Sequence, residues 1–304
     1  MNRKTKKSMI SSTEAPQTEK YRSDIFLALR AAAKDKVALA GVIILVFAIV
    51  ISIFAPLVSP HDPLVMDSVA GRLAPPFSPG HILGTDSQGR DTLSRLIWAG
   101  RVSIPIALVP IIVGSVIGLI LGLLSGYFYG ISRELILRGM DIVLAFPGVL
   151  LAVVISSIMG AGMLNMMIAM SIVLIPYFTR LVYVEVVNTS QKEFIKAARV
   201  SGSMTKSILV HEILPNVLSP VIVYGTTSLG GMIVFAAGLS FLGVGTQPPT
   251  PDWGIMASDG RVVLAIAPWV SFIPGVVIVI LAIACNLAGD AIRDALDPRQ
   301  RTRR

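Results

Sequence analysis

The sequence is poor in charge and in the residue types that build reactive or cross-linked sites. Only 14% of its 304 residues are Asp, Glu, Lys or Arg, against about 25% in soluble globular proteins. It contains one cysteine, Cys285, which excludes a disulfide framework or a cysteine-based metal site within the chain. The three histidines, His61, His81 and His211, are scattered in the sequence, which argues against a histidine metal cluster. These scarcities disfavour a soluble enzyme.

Long apolar runs are what the sequence has instead. Hydrophobic residues make up 54% of the chain, and the mean hydropathy is +0.75. A membrane-spanning helix needs about 20 mostly apolar residues, and the charge-free segments predict six such helices in an all-α polytopic membrane protein. They lie at residues 37–58, at 102–127, at two spans within 142–179 joined by a short turn near 160–162, at 213–244 and at 269–289. We expect the first run to be a retained anchor rather than a cleaved signal peptide.

The net charge of +8 indicates how these spans are oriented. Twenty of the 26 Lys and Arg residues lie in the segments 1–36, 128–138, 186–212 and 291–304, and five lie in the alternate segments. The remaining one, Arg180, lies near the inner end of the fourth predicted span. Cytoplasmic loops are enriched in Lys and Arg. Both termini are therefore predicted to be cytoplasmic, and the positive charge is not interpreted as a nucleic-acid-binding surface.

The same pattern divides the chain into segments. Residues 1–36 are predicted to form a cytoplasmic tail whose end, 21–36, is an interfacial helix or an extension of the first span. An extracytoplasmic loop at 59–101 follows the first span. A five-helix core at 102–290 contains an inner loop at 188–216, and residues 291–304 form a second cytoplasmic tail.

The second predicted span carries glycines at every fourth position. They are Gly114, Gly118, Gly122 and Gly126. Such a stripe of small residues lets two helix backbones approach closely in lipid, where apolar burial does not drive helices together. The stripe predicts a helix-packing face, toward either another span of this chain or a partner.

The outer loop contains acidic residues that could suggest catalysis. Its polar turn residues are Gly84, Thr85, Asp86, Gly89, Arg90 and Asp91. No nucleophile, histidine base or metal set accompanies the two carboxylates, so we interpret the segment as tight turns with local Arg–Asp pairing.

The inner loop has the pattern of a helical hairpin. Ser190 and Glu193 fit a capping box that starts a helix, and Gly202 permits a reversal of the chain. A second short helix over 205–213 is predicted to be broken by Pro215.

Two adjacent alanines, Ala197 and Ala198, give the first of these helices a flat face suited to docking in a groove of another protein.

This loop resembles the EAA loop of bacterial ATP-binding cassette importer permeases. The matching residues are Glu193, Ala197, Ala198 and Gly202, followed by Ile213, Leu214 and Pro215. Further motifs resemble the oligopeptide/dipeptide permease family, and in particular its "C" subunit with an extended outer loop. They are HILGTD with GRD at 81–91, AFP at 145–147, GLSFLG at 238–243, PP and WG at 248–254, and DALDP at 294–298.

One position departs from the family pattern. The glutamate that usually precedes the two alanines is Lys196 here, and Glu193 stands three residues earlier. Side chains three residues apart on a helix are neighbours, so these two could pair. The departure leaves open which of them an ATPase would meet.

The resemblance implies a type I ABC importer transmembrane domain in the cytoplasmic membrane. The loop 188–216 would then be the coupling helix, held in a groove of a cytoplasmic ATPase. The implied partners are a second permease subunit, two ATPases and an extracytoplasmic substrate-binding protein, besides the lipid bilayer. The sequence has no phosphate-binding loop, so ATP and Mg²⁺ are expected on the ATPases and no cofactor or metal on this chain.

The binding protein is expected to meet the outer loops at 59–101 and 245–268. The residues predicted for that contact are the turn residues Gly84, Thr85, Asp86, Gly89, Arg90 and Asp91, and Trp253 in the second loop.

Several functions remain open at this point. Within the resembled family, di- and oligopeptides are the expected substrates, and nickel, metallophores or other small solutes are the alternative. An ATP-independent channel or ion-coupled carrier is a different class, disfavoured because no carboxylate lies in the middle of a predicted span. An intramembrane enzyme is disfavoured by the absence of a mid-span nucleophile or metal set.

Overall fold

The described part of the chain consists of helices joined by loops, the longest of which is the outer loop. A computed structural model describes residues 36–67 and 71–296, with the side chains of 295–296 excepted. The expected interfacial helix lies almost wholly outside the described residues, as does the end of the C-terminal tail. Between these limits the only β-type pairings are isolated bridges in the outer loop. The expected all-α class is confirmed.

Long helices alternate with short ones along the chain. They are α1 (Lys36–Ile53), α2 (Ala55–Val58), α3 (Thr92–Tyr127), α4 (Ile131–Leu144), α5 (Gly148–Met159), α6 (Met163–Ser190), α7 (Glu193–Val200), α8 (Thr205–Ser207), α9 (Leu214–Phe241), α10 (Trp253–Arg261) and α11 (Trp269–Leu296). A π-helical segment, Ile208–Ile213, joins α8 to α9.

Among the described residues, five helices are long and apolar enough to cross a membrane. They are Lys36–Ile53, Thr92–Tyr127, Met163–Ser190, Thr205–Phe241 and Trp269–Asp294. The third predicted span is a bent pair of helices, because α4 and α5 meet at an angle of 91°. At 1.5 Å per residue α5 is only about 18 Å long. The two helices together therefore replace the straight third span that the sequence predicts.

The bend has a local cause. Pro147 directly precedes α5, and proline disfavours helical backbone in the residue before it. The turn predicted near 160–162 is present directly after α5, where Gly160 and Gly162 have positive φ angles of 91° and 159°.

The second span begins earlier than the sequence predicts. The helix α3 starts at Thr92 instead of residue 102, because the Asp91 side chain caps it by accepting a hydrogen bond from the backbone N–H of Ser94. Its 36 residues extend over about 54 Å, which exceeds the bilayer core of about 30 Å. The outer end of α3 therefore stands in the outer polar layer with Arg95 and Arg101.

The glycine stripe of α3 packs against α6 of the same chain. A methyl group added at any of the four glycines would meet a side-chain Cβ of α6 at 2.9 Å or less. The opposed pairs are Gly114 with Leu174, Gly118 with Phe178, Gly122 with Val182 and Gly126 with Val186. Both members of each pair advance by four residues, so the two helices remain in close contact over three turns. The stripe therefore faces another span of this chain rather than a partner.

Other spans approach each other in the same way. Gly41 of α1 lies against Leu287 of α11, and Gly289 of α11 lies against Thr226 and Thr227 of α9. Small residues thus join α1, α9 and α11 into a second packed group.

We predict that Gly122→Ala lowers the thermal stability of the protein. The added methyl would meet the Val182 side chain, and overpacking of this kind costs about 1–3 kcal/mol. The matched control is Gly139→Ala in α4, where nothing lies within 4 Å of an added Cβ and alanine favours a helix by up to about 1 kcal/mol. Thermal unfolding in detergent measures both, and equal melting temperatures would contradict the packing.

Candidate functional site

The loop between α6 and α9 is a short hairpin whose first helix is α7. Its N-cap is Lys192, which has extended backbone and makes no side-chain cap. Ser190 instead ends α6, and its buried hydroxyl has no hydrogen-bond partner. The predicted capping box is therefore wrong. The backbone carbonyl of Lys192 accepts from the N–H groups of Ile195 and Lys196, which starts the helix without a side-chain cap.

Gly202 ends α7 in the way its position predicts. Its φ is +79°, a left-handed conformation that favours glycine. The N–H of Gly202 donates to the carbonyl of Arg199, and the N–H of Ser203 donates to that of Ala198, both at 3.1 Å. These two bonds form a Schellman motif, which reverses the chain toward α8.

The two alanines of α7 do not share one free face. Ala197 is exposed, whereas Ala198 is partly buried against the core. Ile195 is fully buried and anchors the helix to the membrane-spanning helices. The expected flat docking face is thus limited to Ala197.

Lys196 and Glu193 pair across one turn of α7. The Lys196 Nζ donates to Glu193 Oε1 at 2.9 Å, and both side chains are exposed. An exposed pair of this kind contributes at most about 1 kcal/mol, so a partner could separate it at little cost.

Three exposed apolar side chains complete this surface. They are Phe194, Val200 and Met204, with Val200 90% exposed. None was among the residues predicted for coupling, although apolar residues in a short, otherwise polar loop were a visible signal. We call these three residues, with Glu193, Lys196 and Ala197, the hairpin surface.

The end of the hairpin differs from its prediction. Pro215 lies in the first turn of α9, where proline is tolerated, and the chain stays helical through it. The π-helical segment before it absorbs the change in hydrogen bonding. Ile213 is fully buried and Leu214 partly buried, so of these three residues only Pro215 is exposed. The predicted helix break at Pro215 is therefore wrong.

A buried charge cluster organises the outer loop. Asp86 Oδ2 accepts from Arg90 Nε at 2.7 Å and lies 3.3 Å from Arg95 Nε, while Asp86 Oδ1 accepts from the backbone N–H of Gln88 and Arg90. The three charged residues are 6%, 3% and 2% exposed. Arg95 also donates to the carbonyl of Pro63, which holds the start of the loop against α3. Local Arg–Asp pairing is confirmed, and Arg95 is a member that sequence reasoning missed.

A second polar cluster lies beside it. His81 Nδ1 is 2.8 Å from Asp91 Oδ1, and His81 Nε2 is 3.1 Å from Asp67 Oδ2. Burial lowers the pKa of His81, but the hydrogen bonds with the two carboxylates outweigh it and raise that pKa above its usual value. The His61 ring stacks on His81 at 4.8 Å between centroids. Two of the three histidines are therefore neighbours, contrary to the impression of scattering in the sequence.

The second outer loop packs onto α3 through Trp253. Its Nε1 donates to the carbonyl of Leu96, and its backbone N–H donates to Ser103 Oγ, both at 3.1 Å. Asp252 caps α10 through the N–H groups of Gly254 and Ile255, and burial raises the pKa of its carboxyl.

The residues predicted to contact a binding protein are buried. Gly84, Thr85, Asp86, Gly89, Arg90, Asp91 and Trp253 all lie inside the outer layer. These residues hold the two outer loops in place. The expectation that their side chains contact a binding protein directly is therefore wrong. The outer surface consists of other residues, among them Phe77 at 86% exposed and Val262 at 84%.

The sequence matches two families. It matches the family "Binding-protein-dependent transport system inner membrane component" over residues 118–302, more than half of the chain. It matches "N-terminal TM domain of oligopeptide transport permease C" over residues 26–76. The chain belongs to the binding-protein-dependent permeases.

Relatives agree with this membership. The permease is 40% identical to the dipeptide transport system permease protein DppC of Alkalihalophilus pseudofirmus, over 88% of each chain. It is 40% identical to the glutathione transport system permease protein GsiD of Pectobacterium atrosepticum, over 73% of this chain and 74% of the other. The family identified from the sequence motifs is confirmed.

A solved structure supports the fold. The permease matches a chain of the inward-facing MetNI methionine ABC transporter with a TM-score of 0.53, covering 67% of this chain and 96% of the other, at 20% identity. The expected type I ABC importer transmembrane domain is confirmed as its fold class.

We predict that Asp86→Ala strongly destabilises the permease. Removing this carboxylate leaves Arg90 and Arg95 buried without it, and breaking a buried ion pair costs about 3–5 kcal/mol. Asp62→Ala in the same loop is the control, since the Asp62 side chain is exposed. Thermal unfolding of both proteins measures the difference. A melting temperature for the Asp86 variant equal to that of the control would refute the role of the cluster.

Proposed function

We propose that this permease is one of two membrane subunits of an ATP-driven importer and that its hairpin surface docks in a groove of a cytoplasmic ATPase. The observation that carries the proposal is the exposed apolar group of Phe194, Val200 and Met204 on a hairpin whose other side is anchored by Ile195. Exposed apolar residues grouped on a polar loop are typical of an interaction site. The resemblance to the EAA loop supports the same assignment.

The orientation of the chain is part of this proposal. The excess of Lys and Arg in the segment that contains α7 supports a cytoplasmic position for the hairpin and for both termini. The ATPases act on that side, so the docking surface and its partner face the same compartment.

Movement of α7 reaches the spans through two contacts. Ile195 is buried in the apolar cluster that also contains Ile208 and Ile213 at the start of the α9 span. The guanidinium of Arg199 lies 5.3 Å from the ring centroid of Tyr127, the last residue of α3. A shift of α7 in the ATPase groove is thus transmitted to α3 and α9. Alternation between outward and inward openings follows from such shifts.

ATP and Mg²⁺ bind to the two ATPase subunits in this proposal, because the permease has no phosphate-binding loop. The permease itself is therefore a transport subunit rather than an enzyme. A second permease completes the translocation path, and an extracytoplasmic binding protein meets the exposed outer surface around Phe77 and Val262.

Di- and oligopeptides are the proposed substrates. One relative is named for dipeptide transport and another for glutathione transport, and their identity of 40% extends over most of this chain. The motif resemblance to the oligopeptide/dipeptide family points the same way.

We predict that Ala197→Arg disrupts docking of the hairpin surface on the ATPase and so lowers both stimulated ATP hydrolysis and transport. Ala197 is exposed, so the change leaves the fold intact, but it forces a charge into the docked interface, where a buried unpaired charge costs several kcal/mol. Hydrolysis stimulated by the loaded binding protein should fall at least about tenfold, which corresponds to 1.4 kcal/mol. The assay uses the assembled complex in vesicles.

Ser132→Arg, an exposed position in α4 at the same membrane face, is the matched control and should leave stimulation unchanged. Normal stimulation of ATP hydrolysis in the Ala197→Arg variant would show that the hairpin surface does not dock on the ATPase.

We also predict that deletion of this permease abolishes uptake of labelled dipeptides by cells and spares uptake of Ni²⁺. Uptake of each labelled solute is compared before and after restoration of the intact permease, with the Ala197→Arg variant as the inactive control. Loss of Ni²⁺ uptake with intact dipeptide uptake would replace the peptide assignment with the metal alternative.

A further inference from the structure

Three potential metal ligands from separate segments meet in the outer layer. His61 follows α2, His81 belongs to the turn region of the outer loop, and Asp91 caps α3. One ligand atom from each of these side chains lies within 4.8 Å of the others. None of these residues has a part in the proposed ATPase coupling.

The separations suit a small divalent cation. His81 Nδ1 is 2.8 Å from Asp91 Oδ1, and His61 Nδ1 is 3.8 Å from Asp91 Oδ2. Two ligands bound to Zn²⁺ tetrahedrally at 2.0–2.2 Å stand about 3.4 Å apart. All three ligand atoms lie within 4.8 Å of one another, so an ion fits once the His61 ring turns inward by up to about 1.4 Å. The two rings are inclined by 30°, and the exposed His61 ring is the one free to turn toward the ion.

The surrounding hydrogen bonds hold two of the ligands in place. His81 Nε2 lies 3.1 Å from Asp67 Oδ2. When Nε2 carries the ring proton and donates it to Asp67, Nδ1 is unprotonated and able to bind an ion. This carboxylate–histidine–metal arrangement recurs in metal sites. Asp91 is held by the backbone N–H of Ser94, which donates to its Oδ2 at 2.7 Å.

The site is open to solvent on one side, and its ligand types favour particular metal ions. The His61 side chain is 41% exposed, whereas His81 and Asp91 are each 2% exposed. This leaves one side open for entry of the ion and for a water ligand. Two imidazoles with one carboxylate suit Zn²⁺ and similar transition metals, whereas Mg²⁺ and Ca²⁺ prefer oxygen ligands throughout.

We propose that His61, His81 and Asp91 bind one divalent transition-metal ion, for which Zn²⁺ is the best fit, with water in the fourth position. The ion ties the end of the first span, the outer loop and the start of α3 to each other. It therefore stabilises the outer layer on which the loops rest. The proposal is independent of the substrate and of ATPase coupling.

The test is Zn²⁺ binding to the purified full-length permease in detergent after treatment with a chelator. Equilibrium dialysis should find one tightly bound Zn²⁺ per chain, and excess Mg²⁺ should not displace it. His61→Ala should weaken binding at least about tenfold, since it removes a ligand. His211→Ala, an exposed histidine in the cytoplasmic hairpin, is the matched control and should bind as the unaltered protein does.

Two further readouts separate a lost site from a lost fold. Without metal, His61→Ala should have the same melting temperature as the unaltered protein. Zn²⁺ should raise the melting temperature of the unaltered protein and of His211→Ala, but not that of His61→Ala. If His61→Ala misfolds, His61→Gln replaces it as the test variant. Asp67→Asn should weaken Zn²⁺ binding but still bind one Zn²⁺ per chain. Equal Zn²⁺ binding by His61→Ala and His211→Ala, or no bound Zn²⁺ in the unaltered protein, overturns the proposal.

Discussion

The close approach of α3 and α6 is the contact on which the other parts of the structure depend. Lipid provides no apolar driving force between helices, so association relies on backbone proximity and packing. The four glycines of α3 permit that proximity by giving space to Leu174, Phe178, Val182 and Val186. Because α3 is 36 residues long, this one interface also positions the outer charge cluster at its start and the hairpin that contains α7 at its end.

The two ends of α3 use polar chemistry in opposite ways. At the outer end Arg90 and Arg95 are buried and both pair with Asp86, so removing them from water is compensated by ion pairs and hydrogen bonds. At the inner end the Glu193–Lys196 pair remains exposed and weak. Buried ion pairs thereby hold the outer loop against α3, while the hairpin surface retains exposed groups that a partner protein can contact.

Predictions made from neighbouring residues were confirmed where the feature depends only on contacts within one short helix. Gly202 ends α7 through bonds to carbonyls only three and five residues earlier, and Lys196 pairs with Glu193 on the same turn. The capping role of Ser190 and the helix break at Pro215 were wrong. In those cases α6 runs on through Ser190 and the π-helical segment carries the chain helically into α9, so continuity with adjoining helices prevailed over local preference.

The sequence by itself determined the membrane class, the spacing of the glycine stripe, the hairpin reversal and the family, because each is encoded in residue type and short-range spacing. Only the tertiary structure decided that the stripe meets α6, that Ala198 and Trp253 point inward, and that His61 lies on His81. These outcomes join residues that are distant in the chain. They depend on how whole helices pack, and the relevant contacts, such as Trp253 with Leu96, join segments that no local pattern relates.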